Sequence, residues 1–162
     1  MEKAFESINH VEELSREQFE KMCTQHVKSI FLGDHLLLCK ILGRYKIYLD
    51  SRDVGITSNV LMDGFWESWV TKFIVQVVKP GNVCIDAGAN FGYYSLLLAE
   101  LAGRSGKVVA VEPNAYLCKL LSFTSAVNDH RFTISQKALS NETGELTLSV
   151  PLHFWVCMLS AG

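Results

Sequence analysis

The spacing of apolar positions changes several times along the chain, and each change marks an element. Phe19, Met22, Cys23, His26, Val27 and Ile30 recur at helical intervals. Ser15 stands before them as an N-cap, Gln18 completes a capping box, and Leu14 is placed to pack on Phe19. This pattern predicts helix over residues 1–32, with residues 2–12 as a separate short piece and Gly33 as the stop. Residues 36–42 are apolar and read as strand or short helix, whereas residues 45–49 alternate and read as strand. A polar turn follows at 50–55, and residues 57–67 have no clear period. Trp69, Val70, Phe73, Ile74, Val77 and Val78 then mark a helix over 67–78, closed by Pro80-Gly81.

Residues 82–114 carry the densest signal. An apolar run, Val83-Cys84-Ile85, ends on Asp86 and leads into the turn Ala87-Gly88-Ala89-Asn90-Phe91-Gly92. A helical stretch over 93–101, a Gly/Ser loop over 103–106 and a second apolar run over 108–111 ending on Glu112 complete the set. Strands buried on both faces read as continuous apolar runs. Glycine lets the backbone turn sharply and approach a ligand. A helix start presents unpaired N–H groups. Strand, tight turn, helix, strand and acid in this order predict the first half of a nucleotide-binding βαβ unit. Asn114 then caps a helix reaching about residue 127, Phe132 opens a third strand, and residues 145–150 alternate as a further strand. The tail over 152–162 is apolar and carries no Asp, Glu, Lys or Arg.

Composition narrows the function classes. The 162 residues suit one domain with an ordinary core. Fifteen basic against seventeen acidic residues give a formal charge of −2 with no basic block, which argues against nucleic acid as a charge-driven partner. Cys23, Cys39, Cys84, Cys118 and Cys157 are odd in number and scattered, so neither a disulfide framework nor a zinc set is expected. The histidines form no ligand pair, and no metal is expected. The start lacks a signal-peptide pattern, and no apolar stretch is long enough to span a bilayer, so the expected location is cytoplasmic. Asn141-Glu142-Thr143 reads as a chance glycosylation tripeptide.

Two ligand classes suit a βαβ unit. A dinucleotide site favours GxGxxG, yet here the spacing is Gly88-x-x-x-Gly92, with Asn90 where a second glycine would stand. Asp86 opposes a pyrophosphate but suits a ligand with an ammonium and a sulfonium. The pattern therefore favours S-adenosylmethionine over NAD. Asn90 and Asp86 are also readable as plain turn residues, and Tyr93 and Tyr94 as helix packing residues.

The stretch from Val83 to Asn114 resembles motif I through the Glu-Pro-Asn motif of the FkbM-type methyltransferases, and the likeness extends over roughly residues 45–150. Upstream, Gly64-Phe65-Trp66-Glu67 resembles that family's lead-in. The resemblance implies an α/β, Rossmann-like class I methyltransferase fold using S-adenosylmethionine. The acceptor it implies is a hydroxyl oxygen of a sugar or other small metabolite. It places Asp86 at the amino-acid end of the cofactor, Gly88 and Gly92 at the close backbone approach, and Asn90 in the loop. Glu112 then takes the ribose hydroxyls and Asn114 lies beside the adenosine. It also divides the chain into a lead-in (1–44), a partial cofactor domain (45–150) and an atypical tail (151–162). The sheet is expected to be incomplete, its 3-2-1 half only, as in a truncated, shortened or degenerate copy. No catalytic base is assignable; His35, Asp53 and Asp63 are weak candidates, and His153 in the apolar tail reads as structural. The alternatives are a non-catalytic cofactor-binding remnant, or an interaction protein that self-associates through its sheet edge and apolar tail.

Overall fold

The computed structural model describes residues 7–129, 131–145, 147–149 and 158–160. A 3-10 turn, Ile8–Glu12, buries Ile8 and Val11 and leads to helix α1, Arg16–His26. The capping box forms as its sequence dictates: Gln18 N–H donates to Ser15 Oγ at 3.1 Å, and Ser15 N–H donates to Gln18 Oε1 at 2.8 Å. Phe19 and Cys23 are buried beneath it.

The helix predicted to continue to residue 32 stops at His26. Strand β1, Lys28–Gly33, follows and pairs antiparallel with β2, Leu36–Ile41, which pairs antiparallel with β3, Tyr45–Asp50. Ile30, expected on the buried helix face, is 61% exposed. The reason is non-local: cross-strand hydrogen bonds to β2 outweigh a helical period that had run on by coincidence. Asp34 and His35, both at positive φ, form the turn between β1 and β2. Residues 42–44 make the turn between β2 and β3, so this hairpin runs across the boundary expected between residues 44 and 45.

Helix α2, Ile56–Asp63, falls in the segment that showed no period. Asp53 Oδ2 accepts from Thr57 N–H at 2.6 Å, and Gly64, at φ +75°, closes the helix in the left-handed conformation. Helix α3, Ser68–Val77, forms where predicted, but its packing face is shifted. Ser68, Thr71 and Val75 are buried, while Trp69, Phe73 and Val77 are exposed.

The second sheet is parallel. Strand β4, Val83–Ala87, pairs with β5, Lys107–Val111, which pairs with β6, Thr133–Ser135, in the order β4-β5-β6. The crossovers are helices α4, Tyr93–Ala102, and α5, Ala115–Val127. Leu96, Leu97, Val108 and Ala110 form the core of this layer. Among the described residues β4 is an edge strand, with Val83 74% and Ile85 66% exposed. The two sheets are tied through α5: Tyr48 N–H donates to Thr124 Oγ1 at 3.0 Å, and Asn128 both accepts from Lys46 N–H and donates to Lys46 O. These side chains satisfy the edge of β3 that β2 leaves unpaired.

A short pair, β7 at Thr147–Ser149 and β8 at Met158–Ser160, is antiparallel. Residues 150–157 and 161–162, and with them His153 and most of the apolar tail, lie outside the described residues. No helix among the described residues is long and apolar enough to cross a membrane.

Candidate functional site

The adjacent ends of β4 and β5 define the site. Ala87 and Val111 are paired in register, so Asp86 and Glu112 are carried to the same edge of the sheet. The loop between β4 and α4 folds over the end of β5. Gly88 N–H and Ala89 N–H both donate to Val111 O, at 2.9 and 3.0 Å, and Asn90 N–H donates to Glu112 Oε2 at 2.9 Å. Gly92 N–H donates to Ala89 O at 2.8 Å. The amides of 88, 89, 90 and 92 are thus engaged inside the protein. A pyrophosphate would need such amides for itself, so the loop is poorly suited to a dinucleotide.

Glu112 is 4% exposed. Its other oxygen, Oε1, accepts from Asn114 N–H at 3.0 Å. A carboxylate offers roughly four lone-pair sites, and two are taken here, one on each oxygen. About two remain for further donors.

Gly88 and Gly92 have different surroundings. At Gly88, φ +75°, an added Cβ would meet nothing within 4 Å, so the backbone borders open space. At Gly92, φ +94°, an added Cβ would lie 2.5 Å from Leu121 Cδ1 and 3.6 Å from Phe132 Cζ. Gly92 therefore lets the start of α4 press against α5, whereas Gly88 leaves a cradle. Asn90 is held at φ +49°, and its Oδ1 is buried without a hydrogen-bond partner among the described residues. A buried acceptor left in this state is costly and marks a place where a ligand donor would fit.

Asp86 is half-buried, and its Oδ2 accepts from Ser95 Oγ–H at 2.6 Å. Burial raises its carboxyl above the usual carboxylate range, against the lowering effect of the Ser95 hydrogen bonds; the nearby Glu112 charge adds to the rise. Asn114 spends its side chain on α5: Oδ1 accepts from Tyr116 N–H at 2.9 Å and Leu117 N–H at 3.3 Å. Its place beside Glu112 follows from that cap.

A charged group joined to the start of α5 escaped the sequence reading. Asp50, fully buried at the end of β3, accepts from Arg52 Nε at 3.0 Å, Arg52 Nη2 at 2.6 Å and Tyr116 Oη–H at 2.6 Å. Burial works to raise the Asp50 carboxyl, but the Arg52 and Tyr116 hydrogen bonds prevail and hold it below the usual range. Asp50 and Tyr116 are 66 positions apart, so no local spacing could have joined them. The weak base candidates stand elsewhere. Asp53 caps α2, the backbone oxygen of Asp63 accepts from Thr24 Oγ1–H, and His35 sits in the β1–β2 turn with Nδ1 3.4 Å from Ser51 Oγ. Tyr93 is buried with its hydroxyl 3.0 Å from Thr71 Oγ1, and Tyr94 Oη–H donates to Glu67 Oε2 at 2.7 Å.

Comparison with known proteins identifies the fold. TYW2 of Pyrococcus horikoshii, solved in complex with MeSAdo, aligns with a TM-score of 0.52 at 23% identity, over 71% of this chain and 40% of that one. A second P. horikoshii protein, assigned as a transferase, aligns at 0.51 and 22%, over 65% and 37%. The described chain has the Rossmann-like class I methyltransferase fold, partial relative to those structures. In sequence, the ribosomal RNA large subunit methyltransferase E of Desulfosudis oleivorans is 28% identical over 71 residues, 44% of this chain and 34% of that protein. The chain thus spans about a third to two fifths of the length of these relatives.

No family model matches the chain. The FkbM-type assignment is not upheld, because the similar proteins found are methyltransferases and transferases of other kinds. The physical reason is that the residues behind it, a glycine turn after one strand and an acid ending the next, serve cofactor binding across the fold.

Proposed function

We propose that this chain forms the S-adenosylmethionine-binding half of a class I methyltransferase. The observation that carries the reading is the pairing of Glu112, with about two acceptor sites to spare, and the open backbone at Gly88 on the same sheet edge. In this reading Glu112 accepts from the ribose hydroxyls. Gly88 gives the ligand backbone-close passage, the buried Asn90 Oδ1 gains a donor, and Asp86 faces the cationic amino-acid end. Asn114 fixes the start of α5 beside the adenosine, and Gly92 sets the helix packing that holds the loop. When bound, the cofactor supplies a methyl group already activated by its sulfonium. The protein's part is to hold the ligand, exclude water and align an acceptor.

For the acceptor, the finer reading is a hydroxyl oxygen of a sugar or small metabolite. It came from the resemblance that is not upheld; what still favours a small acceptor over nucleic acid is the charge of −2 and the lack of a basic block, which select no functional group. An RNA acceptor is the second reading, favoured by the relative named as a ribosomal RNA methyltransferase. A third, non-catalytic reading is pairing between copies through β4, favoured by the exposed Val83 and Ile85 on an edge strand.

Calorimetric titration with S-adenosylhomocysteine, S-adenosylmethionine and NAD tests the core of the proposal. Binding of the first two, lost in Glu112→Ala, supports it. Absence of binding together with a concentration-dependent mass supports the third reading. Methyl transfer from labelled S-adenosylmethionine to a panel of hydroxylated metabolites, against total RNA, separates the first two.

A further inference from the structure

A cleft of about 560 Å3 opens at the end of the parallel sheet opposite the proposed cofactor site. Gly106, the residue before β5, borders it, and β5 carries the chain about 13 Å from Lys107 to Val111. A second hollow of about 200 Å3 shares Asp129 and Arg131 with the first. Four cations line the two: Arg44, Lys46, Arg104 and Arg131. Two carboxylates, Glu100 and Asp129, stand among them. The surplus of two positive charges lies in a chain whose formal charge is −2, so it is a local concentration. The fold assembles it from the β2–β3 turn and β3, the α4–β5 turn and the α5–β6 connection.

Charge is only partly matched within the cluster. Glu100 holds two guanidinium groups at once: Arg44 Nη2 stands 3.4 Å from Oε1, and Arg131 Nη1 donates to Oε2. The Arg44 and Glu100 side chains are 12% and 16% exposed, so water screens little of the repulsion between the two cations. The Arg104 and Lys46 side chains join no ion pair among the described residues. Tyr45 lies under Arg44, whose Cζ is 5.4 Å from the ring centre, and lines the smaller hollow. Its hydroxyl is buried and makes no hydrogen bond among the described residues. Burial and then Glu100 push this phenol up, against the lowering effect of Arg44 and Arg131; Glu100 is in its electrostatic reach but outside hydrogen-bond geometry. A buried donor without an acceptor is costly.

We infer that this cleft is a binding site for a small phosphomonoester, whose phosphate dianion settles among Arg44, Arg104 and Arg131 and gives the Tyr45 hydroxyl an acceptor. A dianion cancels the surplus of two charges, and guanidinium groups present paired donors to phosphate oxygens. A phosphodiester brings one charge and leaves half of the surplus. The larger hollow has room for the organic part of such a ligand. The site stands apart from Glu112 and Gly88, so the inference does not depend on the cofactor reading.

The test is an NMR titration of the whole chain with methyl phosphate, a monoester, and dimethyl phosphate, a diester, read at the Gly103 and Gly106 amides. The monoester should bind about tenfold or more tightly than the diester. Arg104 is exposed and unpaired, so Arg104→Gln should keep the thermal midpoint while weakening the monoester about tenfold. Tyr45→Phe removes the unpartnered hydroxyl, so its midpoint should rise while monoester binding falls. A cluster that serves only to clip α4 to the neighbouring turns would show no such split. The inference is overturned by the absence of a saturable shift at millimolar monoester, or by undiminished binding in Arg104→Gln. Equal affinity for the two esters also overturns it, and points to a nucleic-acid backbone instead. Titration with S-adenosylhomocysteine reads the other end of the sheet, so either result leaves the cofactor reading to its own test.

Discussion

Replacing Glu112 by Gln keeps the shape of the side chain and removes the charge and one acceptor oxygen. In the native site each oxygen accepts one backbone N–H, from Asn90 at 2.9 Å and from Asn114 at 3.0 Å. The amide oxygen of Gln can serve one of them; its NH2 group must then face the other N–H, donor to donor. A buried hydrogen bond to a charged group is worth about 1.5–3 kcal/mol net. The Asn114 side is buried, but the Asn90 side is only part-buried, so water relieves some of the loss there. The amide should turn its NH2 toward Asn90, and the cost to stability should fall near the lower end, about 1–2 kcal/mol. Urea unfolding read by tryptophan fluorescence measures this as a lower midpoint at unchanged slope. The ligand also loses one ribose acceptor and the charge on the other, so S-adenosylhomocysteine should bind about 10- to 150-fold more weakly by calorimetry. A Gln variant within about 0.5 kcal/mol of wild type and with undiminished affinity would refute both the accounting of the two N–H groups and the role of Glu112.

Three further outcomes follow from the same geometry. Gly92→Ala should cost about 2–4 kcal/mol, from positive-φ strain and overlap with Leu121, whereas Gly88→Ala should cost about 1–2 kcal/mol from strain alone yet lose most ligand affinity; unfolding and titration on both variants check the split. Because burial raises the Asp86 carboxyl in the folded protein, stability should fall as pH rises from the ordinary value of 3.8 through the raised one, and Asp86→Asn should flatten that slope. The charged form is the one that attracts a cationic ligand, so S-adenosylmethionine affinity should rise over the same window with proton release, read by calorimetry in buffers of different ionisation enthalpy. Asp50 has the opposite sign: its lowered carboxyl lends stability above its ordinary value of 3.8 that is lost as pH falls through the lowered one. Arg52→Gln should remove about 1–3 kcal/mol at pH 7, less than for a fully buried pair because the Arg52 side chain is 48% exposed, and should shift acid unfolding to higher pH.

How far the sequence could be read depended on the range of the forces involved. The capping box at Ser15, the Asn114 cap, the Pro80-Gly81 break and the run from β4 through α4 to β5 are set by neighbours a few residues apart. Caps and turn sterics act at that range, and the approximate boundaries of α3, α4 and α5 followed from apolar spacing. The strand at Lys28–Gly33 did not, because the helical period carried past His26 and only pairing with β2 broke it. Nor did α2, whose start depends on a cap from Asp53 rather than on a hydrophobic stripe. The outward turn of Trp69 and Phe73 was equally hidden, since spacing gives an apolar face but not the element it meets.

At the site, the sequence by itself determined that an acid ends each of two consecutive strands and that a glycine turn lies between them. Steric freedom at glycine and the buried-strand pattern are local properties, so they can be read from a line of residues. Only the tertiary structure decided that Gly88 faces open space while Gly92 faces Leu121, and that the amides of Gly88 and Ala89 are already bound to β5. It alone brought Glu67 to Tyr94, 27 positions away, and Asp50 to Tyr116, 66 positions away. Those meetings come from how strands and helices stack, a matter of packing and burial summed over the whole chain, and no spacing along it records them.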